Sequence, residues 1–507
     1  MSNIRQTHNG IESFETYRHQ VRRFIHPPHS HTTDQYSGRN GRRQFMLSVS
    51  QCRAAYLKGD LKPSAVTAAH QQYAQSVAKA TNAISVLNSH APDQAKESDK
   101  RYAAGKPKGP LDGVPVIVKD SYHVAGLPRW HGSAIHDGDP VSAFSSEPIE
   151  RLEEAGAIVI AKGTMPDMGM LASGISSQFG IVRNPWDVRM SPGGSSSGVG
   201  AALASGLAAF GLGTDIAGSV RLPAAHCGLA AIKPTQGRIA YSPASVMRSS
   251  GVLARTVADV IEGLAVVGQQ SASDPWCLPG RFVPVTAQQV LARTPRVGVL
   301  LDMGYGVAPA PQIVAAVEAA ARRLEGMGCI VKSTSLNLTD ADFDNADRVF
   351  KAHAAAEIRA SRHPEAVLGL VAEWVREAEG LFMADYEDAM NGLLVTVARI
   401  QKAIEQFDYL VTPVIPVAVF PAESPGPGDD TELLHHTQFT AWWNQTTQPA
   451  AVYCETVDEA THLPIDVQVV GRRFDDAGVL ALAGVLESTR GFDMEFPTFE
   501  EVSDANE

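Results

Sequence analysis

A chain of 507 residues with 44% apolar and 19% charged content has the composition of a soluble globular protein and is long enough to bury a large core. Its formal net charge of −12 at pH 7 excludes the concentrated basic footprint that a nucleic-acid surface needs. The five cysteines, Cys52, Cys227, Cys277, Cys329 and Cys454, are odd in number and lack the paired spacings of zinc or redox sites, so reduced thiols in a cytoplasmic protein are expected, with no metal site.

Residues 1–44 carry little hydrophobic periodicity and a histidine-rich stretch, His26-Pro-Pro-His-Ser-His31. A disordered or loosely packed extension is expected, with the histidines solvated rather than metal-bound, and Met46 is a second candidate start. The pair Arg42-Arg43 is followed by polar and charged residues instead of an apolar core, so it is not read as a twin-arginine signal. One domain is expected over 45–490, with a short tail over 491–507.

From there, short apolar runs alternate with amphipathic helices. Strands are expected at Gly113–Val118, Ala157–Ala161, Leu229–Pro234, Arg296–Leu301, Asp408–Pro413 and Ile465–Val470. Helices are expected at Glu147–Ala155, Gln312–Glu325 and Ala477–Glu487. The apolar run Val199–Gly213 is too short and too rich in Gly and Ala to cross a bilayer, so a buried helix is expected there and no membrane partner. Between 341 and 407 the pattern is almost purely helical, including Asp344–Arg359 and Tyr386–Glu405, which suggests a helical cap over a substrate pocket. The alternation implies an α/β fold with a large mixed, mostly parallel central sheet covered by helices.

Within this frame, Pro192-Gly-Gly-Ser-Ser-Ser-Gly198 looks like a spacer but precedes an apolar helix-forming run. Its Gly194-Ser-Ser-Ser-Gly198 core satisfies the G-x-S-x-G nucleophile elbow, which would make Ser196 the nucleophile. That motif needs a strand directly before it, whereas Arg183–Pro192 holds two prolines and turn residues. No acid-then-histidine pair stands out downstream among His226, His353, His363, His435, His436 and His462.

A second reading joins three stretches: Gly113-Val-Pro-Val-Ile-Val-Lys-Asp120, the Gly/Ser run at 192–198, and Gly213-Thr-Asp-Ile-Ala-Gly-Ser-Val-Arg221. Together, in this order and spacing, they resemble the lysine, Gly/Ser and nucleophile motifs of the amidase signature family. The resemblance extends from about Leu47 to about Glu487. It implies Lys119 as base, Ser195 as bridging serine held through a cis peptide bond after Gly194, and Ser219 as nucleophile. It also implies that the run Ile216, Ala217, Gly218 and Ser219 presents its N–H groups as an oxyanion hole.

The chemistry is intelligible in itself. A serine hydroxyl is a weak nucleophile until a neighbour takes its proton. A lysine can do so only if burial holds its amine neutral, and Lys119 ends an apolar strand. The chain departs from the family at Ala217 and Ser197, where Gly is usual, and at Val199, where a small polar residue is common. If position 217 needs a positive φ, Ala217 would be strained; otherwise its methyl only narrows the pocket.

Other residues are weighed against ordinary packing. Asp215 and Arg221 are expected to organise the loop, Cys227 to be a packed thiol, and Lys233 to be structural. Trp130 and His131 line the substrate entrance or a surface loop. Trp443 and Asn444, with Trp442, are pocket walls or core. The expected activity is hydrolysis of a small-molecule carboxamide without a cofactor. A carbamate, urea-type or ester hydrolase, the glutaminase (A) subunit of a tRNA-dependent amidotransferase, and an inactive binding protein are the rivals. A homodimer is left open.

Overall fold

The computed structural model describes residues 46–241, 243–428 and 433–499. The expected extension over 1–44, its histidines and residues 500–507 lie outside the described residues. The tail from 491 to 499 packs on the body: Phe496 meets Trp186 at 5.9 Å between ring centroids, and Phe499 N donates to the Tyr73 hydroxyl.

Thirteen strands are present among the described residues: β1 Ile84–Leu87, β2 Pro115–Lys119, β3 Ile158–Gly163, β4 Ile175–Ser176, β5 Gly180–Ile181, β6 Phe210–Asp215, β7 Ala230–Lys233, β8 Ser249–Ala254, β9 Arg296–Asp302, β10 Ile330–Ser335, β11 Tyr409–Pro413, β12 Ala450–Val457 and β13 Pro464–Gly471. Eleven form one sheet in the order β1-β3-β2-β6-β8-β7-β12-β13-β11-β9-β10, and β4 and β5 pair separately. Every strand expected from the apolar runs is present. β2, buried at all five residues, is apolar up to the lysine that ends it because both of its faces are covered.

The sheet is large and mixed, as expected, but it is not mostly parallel. Four neighbouring pairs are parallel, β3–β2, β2–β6, β11–β9 and β9–β10, while six are antiparallel. The antiparallel centre comes from β8 and β12, two strands with no place in the sequence reading. β8, Ser-Ser-Gly-Val-Leu-Ala, begins with small polar residues, so no apolar run marks it although all six residues are buried.

The apolar run at 199–213 is likewise corrected. The helix covers only Ser197–Ala204; the chain turns at Gly206, with φ 82°, and enters β6 at Phe210. Small residues mislead here because β6 is pressed against the Gly/Ser turn. A Cβ on Gly213 would stand 2.4 Å from Ser196 Oγ, so that strand position carries glycine for space.

Over 341–407 the expected helices appear as Asp340–Ala360, Gly369–Val375 and Met383–Ile404. No helix among the described residues is long and apolar enough to cross a membrane. All five cysteines are free.

For the site, one edge of the sheet matters. Parallel pairing of β2 with β6, Val118 opposite Leu212, brings Lys119 and Thr214 to the same edge. Antiparallel pairing of β6 with β8, Asp215 opposite Ser249, starts β8 there too.

Candidate active site

Lys119 closes β2 with only 1% of its surface exposed. Its Nζ lies within hydrogen-bonding distance of Ser195 Oγ at 2.8 Å, Thr214 Oγ1 at 3.0 Å and the Thr214 carbonyl oxygen at 3.3 Å. No carboxylate is among these partners. Burial above all, then the positive charge of Arg248, pull the amine well below the ordinary lysine range, with Asp215 opposing weakly.

Ser195 is fixed by the turn that carries it. The Gly194–Ser195 peptide is cis. A Cβ on Gly194 would lie 2.2 Å from the Ser173 carbonyl oxygen, so the turn lies too close to a neighbouring backbone for any side chain. Behind it the helix Ser197–Ala204 starts, with Ser197 Oγ donating to the Thr164 carbonyl at 3.3 Å. Ser197 and Val199, the departures from the family pattern, are fully buried in this packing. No strand leads directly into Ser196, and its buried hydroxyl has no hydrogen-bond partner among the described residues, which removes the structural premise of a nucleophile elbow.

Ser219 is 7% exposed, on the loop between β6 and the helix Arg221–Cys227. Ser196 N donates to the Ser219 carbonyl at 3.1 Å, tying this loop to the Gly/Ser turn. A fully buried polar cluster holds it from behind. Arg221 Nε and Nη2 each donate to the Asp215 carboxylate at 3.0 Å, while Nη1 reaches Gln468 at 2.8 Å and Nη2 also reaches Asn444 at 2.7 Å. Burial pushes the Asp215 carboxyl up, but the charge and hydrogen bonds of Arg221 lead the opposing causes and bring it down to about 2. Asp215 in turn accepts from Gly218 N at 2.7 Å and Val220 N at 3.1 Å.

This geometry amends the expected oxyanion set. The Gly218 N–H is already given to Asp215, which leaves the amides of Ile216, Ala217 and Ser219 as candidate donors. It also settles the strain question. The positive φ of the loop falls on Gly218, at 123°, and Ala217 is not among the residues of positive φ. Gly218 is further required because a Cβ there would stand 2.3 Å from Thr440 Oγ1, whose hydroxyl donates to the Ala217 carbonyl at 2.6 Å.

Trp443 and Asn444 are not pocket walls. Both are completely buried: Trp443 Nε1 donates to the Phe439 carbonyl at 2.7 Å, and Asn444 Nδ2 to the Asp215 carbonyl at 2.9 Å. Asn444 supports the loop from the side away from solvent. Trp130 is partly exposed and meets Phe179 edge-on at 5.3 Å. His131, buried with φ 50°, is hydrogen-bonded through Nδ1 to Glu357 of the helix Asp340–Ala360. The helical stretch thus reaches the chain segment that follows the lysine motif.

His131, His136 and Glu357 offer three ligand atoms within 4.8 Å of one another. Glu357 is hydrogen-bonded to His131 Nδ1 and stands 3.5 Å from His136 Nε2, while His136 Nδ1 meets Asp139 at 2.9 Å. Sequence reasoning missed Thr214, Glu357 and Arg248. Thr214 lay inside the nucleophile motif and was findable from strand pairing with β2; the other two carry no local signal.

The Amidase family model matches residues 65–480. The chain is 32% identical over 475 residues to the A subunit of the glutamyl-tRNA(Gln) amidotransferase of Symbiobacterium thermophilum, covering 86% of this chain and 96% of that protein. It is also 32% identical over 411 residues to the putative amidase AmiB2 of Mycobacterium tuberculosis, covering 78% and 86%. In structure it resembles 6-aminohexanoate cyclic dimer hydrolase, with a TM-score of 0.79 at 23% identity over 89% of this chain and 99% of that one. The peptide amidase PAM in complex with chymostatin superposes with a TM-score of 0.75 at 25% identity, over 89% and 99%.

Proposed function

The chain belongs to the amidase family and is a hydrolase of carbon–nitrogen bonds, and from that premise we propose that it cleaves a carboxamide through an acyl-enzyme on Ser219. Lys119 is the base and Ser195 the proton relay. The observation that carries this reading is the set of partners around the Lys119 amine. A neutral amine has two N–H donors and one lone pair. The two Thr214 oxygens absorb the donors, which leaves the lone pair for the Ser195 hydroxyl 2.8 Å away.

In this mechanism Ser195 gives its proton to Lys119 and takes one from Ser219, whose oxygen adds to the amide carbon. The carbonyl oxygen becomes an oxyanion facing the Ile216, Ala217 and Ser219 amides, donors fixed before the charge develops. The relay then returns the proton to the leaving nitrogen as the C–N bond breaks. Water, deprotonated by the same relay, adds to the acyl-enzyme and releases carboxylate and free Ser219.

Ser219→Ala and Lys119→Ala should each abolish turnover of a panel of aliphatic, aryl and carbamate substrates while the circular dichroism spectrum is kept. Substantial residual turnover in both would sink the relay. A second reading, the glutaminase component of a tRNA-dependent amidotransferase, draws on the likeness to the Symbiobacterium protein over most of both chains. Glutamine hydrolysis that appears only with partner subunits would favour it over a free-standing amidase.

A further inference from the structure

Arg248 immediately precedes β8. Since Ser249 pairs with Asp215 in an antiparallel ladder, Arg248 stands across from Ile216, the first residue of the loop to Ser219. Its backbone is pinned: the N–H donates to Ser245 Oγ at 3.0 Å, and its carbonyl accepts from Gln236 Nε2 at 3.0 Å. Gln236 is itself held by Ser249 Oγ at 2.6 Å. The guanidinium therefore leaves from a fixed point at the edge of the sheet where Lys119 and Ser219 lie.

Its charge acts on side chains from three separate parts of the chain. It contributes to lowering Lys119 on β2, His131 after the lysine motif, and His353 and Glu357 on the helix Asp340–Ala360. Burial comes first for the lysine and both histidines, and it opposes the fall of Glu357. Tyr241 is a hydrogen-bond partner of the guanidinium.

What Arg248 lacks is a carboxylate. Among the described residues none lies within 4.0 Å of it. The two buried arginines among the described residues are filled: Arg221 by Asp215, Gln468 and Asn444, and Arg255 by the carbonyls of Leu203, Ala208 and Leu47. Glu357, the carboxylate nearest in effect, is occupied by His131 and His136. A half-buried arginine whose partner is Tyr241 and whose planar fork meets no carboxylate among the described residues matches a planar anion that can take two parallel N–H bonds.

We propose that Arg248 binds a carboxylate of the substrate, so that the amide cleaved here carries a free carboxylate close to its scissile bond. The placement beside Ser219 rests on the reading given under Proposed function; the anion site itself does not. The test is calorimetric titration of the wild type, Arg248→Gln, Arg248→Lys and Ser219→Ala with dicarboxylates of three to five carbons and with the matching diamides. One dicarboxylate should bind the wild type and Ser219→Ala alike. Arg248→Gln should weaken it about tenfold or more, and Arg248→Lys should recover part. The diamide of that length should bind far more weakly. Absence of binding of every dicarboxylate to the wild type, or equal binding to a folded Arg248→Gln, overturns the proposal. Fluorophosphonate labelling run alongside separates the two claims: dicarboxylate binding that depends on Arg248 in a protein whose Ser219 is never labelled would retire the nucleophile and keep the anion site.

Discussion

Lys119 and Lys162 lie on adjacent parallel strands, β2 and β3, and both are buried. Lys162 pairs with Val118, one position before Lys119, so the pleat sends the two amines to opposite faces of the sheet. Lys162 meets the buried Asp120 carboxylate at 2.8 Å and donates to the Pro128 carbonyl at 2.6 Å. Lys119 meets two hydroxyls and a carbonyl. Burial lowers both amines, but for Lys162 the next causes, the charge and hydrogen bond of Asp120, push back up. For Lys119 the next cause is another cation. One strand away, the same side chain in equal burial is an ion-pair member or a candidate base according to its partner.

That contrast can be broken by paired substitutions. Lys119→Met should cut amide turnover roughly 10⁴-fold or more while costing only about 1–3 kcal/mol in urea unfolding, since it leaves neutral hydrogen-bonding groups without a partner. Lys162→Met should do the reverse, costing about 3–5 kcal/mol because Asp120 becomes an unpaired buried charge, with turnover per folded molecule largely kept. A stable but inactive Lys162→Met would reverse the assignment.

Next in size is the loop that Asp215 and Arg221 hold. Gly218→Ala forces a side chain onto Thr440 and should lower turnover about 10²-fold through displacement of Ser219, the proposed nucleophile. By contrast, Ala217→Gly should leave turnover near the wild-type level, because no positive φ is strained there.

The pH profile sharpens the comparison further. A base works only when unprotonated, so the rate should fall on the acid side as Lys119 takes up its proton. Arg248 disfavours that protonation. Arg248→Gln should therefore raise the lysine pKa and move the acid limb of turnover to higher pH. An unmoved limb would mean that the limb reports some other group.

Much of this was legible in the sequence, for identifiable reasons. β2 announces itself because a strand buried on both faces must be apolar throughout, and the lysine that interrupts the run marks its own importance. The motif spacing brought Lys119, Ser195 and Ser219 into view together. β8 and the end of the helix before Gly206 were hidden because small residues serve strands and helices alike where backbones crowd. Asn444 and Trp443, open in the sequence between pocket wall and core, fall on the core side, because a segment can approach a site from its buried side, where a polar group supports the loop instead of meeting substrate. Arg248 stayed hidden because its importance arises from what it lacks, an acidic partner, and that appears only once the chain is folded.

The most direct measurement is time-resolved labelling with a fluorophosphonate followed by peptide mapping, on the wild type and on folded Lys119→Met. The account predicts one adduct, on Ser219, formed about 10³-fold or more slowly once Lys119 is gone. An adduct on Ser196, or unchanged labelling of Ser219 in Lys119→Met, would contradict it.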